Sequence, residues 1–378
     1  MEKNQSLTKH KISEISNIKI HGRTRQGQSP VPLFFNGSAV EANVSGSELW
    51  IDIEADFDFS EPWATIWLNG AMLSRLMLQA GRYPICLFRG MNPETVKNVI
   101  FMRETEAEAD DEACHVLVHG FEADGFFHPV PEKKLKIEFV GDSITSGAGA
   151  YGATDEMDYT AMFKGSSASY PMMVAKAFDA DFRCLSQSGW GIVAGYDNNP
   201  GKTIPAHYEM VCALAKGAAN EALGANKPHD FTTWQPDAII VNLGTNDDGA
   251  FGNPEWADPA TNEIFKLRGN SDGTYHADDL AKIENAIIDF LTLLRKNNEK
   301  AHLVWAYGMA GQGLAPMMEN AIARYQSLTD DRNVAFILLP DTTAETMGSL
   351  MHPGEKSHRC AADVLIRYLR SACFSVCK

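Results

Sequence analysis

Hydrophobic periodicity changes once along this chain, near residue 130, and the change excludes a single uniform architecture. Up to about residue 125 the apolar residues recur with period two. In Leu49-Trp-Ile-Asp-Ile-Glu-Ala-Asp-Phe57 the odd positions are apolar and most even ones acidic, the mark of a strand with one buried and one wet face. Ala64–Leu68 is followed by Asn69-Gly70 and then Ala71–Leu76; Asn-Gly between two such runs is a strong hairpin signal. Tyr83–Arg89, Val96–Arg103 and Cys114–Phe121 read as further strands. Short strands at regular spacing, with no convincing helix between them, predict a β-sandwich of jelly-roll type over residues 1–125.

The stretch Glu122–Lys134 carries Gly125, two prolines and several charges, and residues 126–134 are expected to form a linker. Beyond it strands alternate with helices. Strands are expected at Leu135–Val140, Phe182–Leu185, Asp237–Asn242, His302–Trp305 and Val334–Leu338. In Ala281–Lys296 the residues Ile283, Ala286, Ile287, Phe290, Leu291 and Leu294 form one helical stripe. Tyr170–Phe178, Met317–Leu328 and Lys356–Leu369 read the same way. The fold class is therefore α/β: a jelly-roll-like sandwich, then a three-layer α/β/α domain over residues 135–378. Such a parallel sheet binds ligands at the carboxyl ends of its strands.

A formal net charge of −16 argues against nucleic acid or an anionic membrane surface as partner. Residues 1–17 have no apolar core of a secretory signal, and no run of about 18 apolar residues occurs; the expectation is a cytoplasmic protein. The seven cysteines (Cys86, Cys114, Cys184, Cys212, Cys360, Cys373 and Cys377) are scattered, with neither a disulfide framework nor a zinc pattern.

Four short blocks follow expected strands or precede the last helix: Gly141-Asp142-Ser143-Ile144-Thr145, Gln187-Ser188-Gly189-Trp190-Gly191, Gly244-Thr245-Asn246-Asp247 and His352-Pro353. Each alone has a plainer reading as a turn, loop or cap. Together they hold what acyl transfer needs: a nucleophile, a base and donors for a developing oxyanion. Ser143 supplies the hydroxyl and a backbone N–H, Gly189 an approachable N–H, Asn246 an amide, and His352 a base that becomes the acid. Asp142 and Asp247 are expected to hold loops by hydrogen bonds. No metal and no cofactor is called for.

These blocks resemble those of the SGNH (GDSL-type) hydrolases. The resemblance implies Ser143 as nucleophile, His352 as base, and an oxyanion hole of Ser143, Gly189 and Asn246. A jelly roll ahead of such a domain resembles carbohydrate esterase family 2, as do Arg103-Glu-Thr-Glu-Ala107, Ile137–Thr145, Ser188-Gly-Trp-Gly191, Asn242–Asp247 and Trp305-Ala-Tyr-Gly308. That likeness implies removal of O-acetyl groups from acetylated manno- or xylo-oligosaccharides by a serine–histidine acyl-enzyme mechanism. The family usually places an aspartate two or three residues before the histidine. Here those positions hold Leu350 and Ser349, so a dyad is expected, with a backbone carbonyl orienting His352 as in some family 2 esterases; Asp341 and Glu345 lie nearby in sequence. Sugar rings pack on aromatics, which makes Trp190, Trp305 and Tyr307 candidate substrate contacts, with Phe251 and Trp256 further along; each could equally pack in the core. Two other readings are a general short-chain, lipase-like or thioesterase hydrolase, and a carbohydrate-binding protein of weak catalysis.

Overall fold

The computed structural model describes residues 7–374. They group into two compact units. The first takes the chain up to Lys133 and two later segments, Thr160–Ser167 and Glu209–His229. The second takes Lys134–Tyr159, Ala168–Tyr208 and the chain from Asp230 onward.

The first unit is built from two antiparallel sheets. One runs Thr8–Lys11, His115–Ala123, Glu48–Asp56, Gly81–Arg89; the other runs Phe127–His128, Ala39–Val44, Lys97–Arg103, Trp63–Leu68, Ala71–Met77. The odd positions Leu49, Ile51, Ile53 and Ala55 meet Val40, Ala42, Val44, Val99 and Phe101 in one core, as the period-two pattern requires. Asn69 (φ +50°) and Gly70 (φ +83°) close the predicted hairpin, with Leu68 opposite Ala71. Phe127–His128, inside the expected linker, adds an edge strand against Val44 and Asn43.

Thr160–Ser167 belongs to this unit for an electrostatic reason. Lys164 Nζ lies 2.8 Å from Glu106 Oε1 and 2.7 Å from Glu108 Oε2, and all three residues are buried. Burial pushes the Glu108 carboxyl above its ordinary range, with Lys164 pulling it back. Six cysteines of the described residues are free thiols; Cys377 lies outside them.

The second unit holds a five-stranded parallel sheet in the spatial order Asp181–Ser186, Lys136–Gly141, Ala238–Asn242, His302–Tyr307, Val334–Leu338. Chain order across it is 2-1-3-4-5, so direction reverses beside Lys136–Gly141, the crevice where such sheets bind ligands. One face carries Ile137, Phe139, Ile240, Val304 and Ala306 and packs with Tyr170 and Val174 of Tyr170–Ala177 and with Ala361, Leu365 and Leu369 of Glu355–Ala372. Trp305 belongs to the opposite face and meets Phe290 of the long helix Ala277–Asn297 edge-on. Helices on both faces explain why these strands read as near-continuous apolar runs.

Removing the cation under Glu106 and Glu108 should be costly, because it leaves buried charge unpaired. Lys164→Met is expected to lose about 3–5 kcal/mol of stability in urea unfolding at pH 8. The Glu108 pKa is raised on folding, so its protonated form supplies stability that is present at low pH and lost as pH rises. The deficit of Lys164→Met is therefore expected to shrink at pH 5.

Candidate active site

Parallel register brings the first three blocks to one sheet end: Gly141 pairs with Ser186 on one side and with Asn242 on the other. At Gly141 a Cβ would overlap the Thr145 side chain and press on the Asn242 carbonyl, so the chain can turn there only as glycine. Asp142 then caps the short helix Ser143–Ser146, its Oδ1 accepting from the Ile144 N–H at 3.0 Å. Ser143 starts that helix and is 6% exposed.

His352 reaches Ser143 from 209 residues away in sequence, with Nε2 3.1 Å from Oγ. Its Nδ1 lies 2.7 Å from the Leu350 carbonyl oxygen. A carbonyl can only accept, so Nδ1 carries the proton, and the neutral ring then turns the Nε2 lone pair toward the serine hydroxyl. Asp341 does not serve here: it accepts from the Gly311 and Thr342 N–H groups, while Glu345 is exposed. His358 lies behind the site, fully buried, its Nδ1 accepting from the Tyr170 N–H at 3.3 Å. Burial, and then the neighbouring His352, push His358 down to about 3, so it stays neutral.

Gly189, three residues beyond Ser186, sits at φ +78° with open space where a Cβ would stand. Among the described residues neither its N–H nor that of Ser143 has a hydrogen-bond acceptor. Two unspent donors beside a serine–histidine pair can stabilise an oxyanion. The Asn246 amide nitrogen already donates twice, to Trp190 O at 2.9 Å and Asp142 Oδ2 at 3.1 Å; serving a third acceptor requires sharing one of these hydrogens. Asp247 ties the second block to the third, its carboxylate accepting from the N–H groups of Ile192 (2.8 Å), Val193 (2.9 Å) and Ala194 (3.4 Å).

A sequence model of the GDSL-like Lipase/Acylhydrolase family matches residues 139–360, more than half of the 378. The chain belongs to that family. An acetyl xylan esterase, Est2A, from the rumen bacterium Butyrivibrio proteoclasticus has the same fold with a TM-score of 0.94 at 48% identity, over 97% of this chain and 99% of that one. A family two carbohydrate esterase from Clostridium thermocellum, solved in complex with cellohexaose, gives a TM-score of 0.77 at 23% identity, over 94% and 98% of the two chains. An acetylxylan esterase / glucomannan deacetylase from Cellvibrio japonicus (strain Ueda107) is 28% identical over 259 residues, 66% of this chain and 64% of that protein. The chain spans 37% to 64% of the length of the curated relatives it matches.

In this GDSL-family chain the three aromatics expected at the substrate are core residues instead. Trp190 is 1% exposed and packs edge-on against His207. Trp305 and Tyr307 are on the helix-covered face of the central sheet, and the Tyr307 hydroxyl donates to Asp248. Phe251 is buried against Tyr275, 4.4 Å between ring centroids, and Trp256 is half-buried. Two tyrosines not singled out by sequence hold the exposed positions. Tyr159, 53% exposed, stands edge-on to the His352 ring at 6.3 Å. Tyr196, 55% exposed, donates its N–H to Gly189 O and lays its ring along Gly249.

Burial pushes the Asp247 carboxyl up to about 6 against the three N–H groups that favour its charged form. Stability from its protonated form is present below the usual aspartate range and is lost as pH rises through about 6. Asp247→Asn removes that slope, and it turns an amide N–H toward a backbone N–H. The variant is expected to unfold about 1–3 kcal/mol more easily at pH 5, with a flatter pH dependence of the urea midpoint between pH 4 and 7.

Proposed function

We propose that this chain is a carbohydrate O-acetyl esterase working through a Ser143–His352 dyad. The observation that carries the reading is the 3.1 Å approach of His352 Nε2 to Ser143 Oγ, flanked by the unspent N–H groups of Ser143 and Gly189. Ser143 Oγ attacks the acetyl carbonyl carbon as its proton passes to Nε2. The tetrahedral oxyanion faces the N–H groups of Ser143 and Gly189, with the Asn246 amide as third donor through its longer bond to Asp142. Collapse breaks the bond to the sugar oxygen, which takes the proton from the imidazolium. Water then gives a proton to Nε2, attacks the acetyl carbon, and releases acetate while Oγ recovers its hydrogen.

The substrate class proposed is an acetylated manno- or xylo-oligosaccharide. It is supported by relatives named as acetyl xylan esterase and as glucomannan deacetylase. Tyr159, edge-on to the His352 ring, and Tyr196, bonded through its N–H to Gly189 O, are both exposed and offer aromatic faces that sugar C–H groups pack on. A sugar leaving group must sit on the His352 side, since that imidazole returns its proton.

Ser143→Ala and His352→Ala are each expected to lower acetate release roughly 1,000-fold or more, followed by NMR of an acetylated manno-oligosaccharide and an acetylated xylo-oligosaccharide during digestion. Undiminished release by Ser143→Ala would overturn the dyad. Acetyl signals that persist in both sugars under the wild type, with a simple short-chain ester still cleaved, would overturn the carbohydrate assignment.

A further inference from the structure

The two residues before His352 have backbone conformations that side chains avoid. Leu350 sits at φ +60°, ψ +22°, and Met351 at φ +55°, both in the left-handed region that costs a non-glycine residue free energy. This conformation aims the Leu350 carbonyl back at His352 Nδ1. Neither leucine nor methionine favours it, so something outside the segment must hold it.

The segment 149–156 meets residues 347–350 at four points. The Glu156 carbonyl accepts from the Leu350 N–H at 2.7 Å, and the Gly149 carbonyl from the Ser349 N–H at 3.2 Å. The Ser349 hydroxyl donates to the Tyr151 carbonyl at 2.8 Å, and the Thr154 hydroxyl to the Met347 carbonyl at 3.3 Å. The fit is close: a Cβ on Gly348 would overlap the Gly149 carbonyl, and one on Gly149 would come within 2.6 Å of the His352 Cβ. Ser349 is fully buried.

We propose that Ser349 is a positioning residue: by latching the loop 149–156 onto the strained Leu350–Met351 pair, it fixes the carbonyl that orients His352. Its hydroxyl stands three residues before the histidine, and it acts on the loop rather than on the imidazole. The proposal rests on the Ser143–His352 reading for its kinetic consequence, but the geometry of His352 can be read independently of turnover.

The test uses the whole chain. Ser349→Ala is expected to lower kcat for acetate release about 10-fold with KM within twofold. It is also expected to abolish the downfield proton NMR signal of His352 Nδ1–H, identified by its loss in His352→Ala. Thr154→Val removes an exposed latch point, so folding is not at issue; it should give a milder loss of kcat, about two- to fivefold, and carries the test if Ser349→Ala does not fold. An unchanged Nδ1–H signal, or a loss entirely in KM, overturns the latch. Activity surviving in Ser143→Ala instead overturns the dyad reading, while the Nδ1–H signal still decides the latch.

Discussion

The hydrogen bond between His352 Nδ1 and the Leu350 carbonyl is the contact on which the reactive geometry turns. An imidazole near a serine is useful only in one tautomer and one orientation, and the second ring nitrogen sets both. A carboxylate would do this with a full negative charge and would stabilise the imidazolium more strongly. A carbonyl offers a partial charge but a better-fixed direction, because it belongs to the backbone two residues away. What it lacks in charge must be met by rigidity, and the left-handed Leu350–Met351 pair is where that rigidity is concentrated.

The other half of the geometry comes from the sheet. Gly141, Ser186 and Asn242 lie in one register row, so three loops far apart in sequence leave the sheet at the same level. The side chains that follow need no long reach. Ser143 lies two residues past its strand, Gly189 three past its own, and Asn246 four past the third. A slip of one residue between neighbouring strands would exchange the faces of every side chain on the moved strand, carrying Phe139 or Ile240 out of the core they share with Tyr170 and Leu365. The apolar core thus holds the register of the reactive residues, though none of them belongs to that core.

Much of this was legible in the sequence, for reasons that also explain what was not. Period-two alternation identified Leu49–Phe57, and Asn69-Gly70 located the hairpin between Ala64–Leu68 and the strand from Ala71, because both signals are local. All five strands of the parallel sheet were found for the same reason. Trp305 and Tyr307 lie on the strand His302–Tyr307; both faces of such a sheet are covered, so its aromatics are core. Tyr159 and Tyr196 could not be singled out, since exposure depends on residues distant in the chain. The place of Thr160–Ser167 hangs on Lys164 meeting Glu106 and Glu108 more than fifty residues earlier, and no spacing rule announces that. Leu350 and Met351 carry no signal at all, because their conformation opposes their own preference.

Asp142 and Asp247 illustrate how buried carboxylates can be mistaken for acid–base catalysts. Both lie beside reactive residues and both are fully buried, the setting in which a perturbed carboxyl invites a catalytic role. Their hydrogen bonds argue otherwise. Each accepts from backbone N–H groups that would otherwise be buried without partners, which is structural duty. Asp142 has one more consequence. With Trp190 O it supplies two acceptors to the Asn246 amide nitrogen, and that fixes which end of the amide is donor. Were the amide reversed, its oxygen would face a carboxylate and a carbonyl, an arrangement with no hydrogen bond in it. The carboxylate beside the serine thus selects the amide orientation that an oxyanion needs, without itself exchanging a proton.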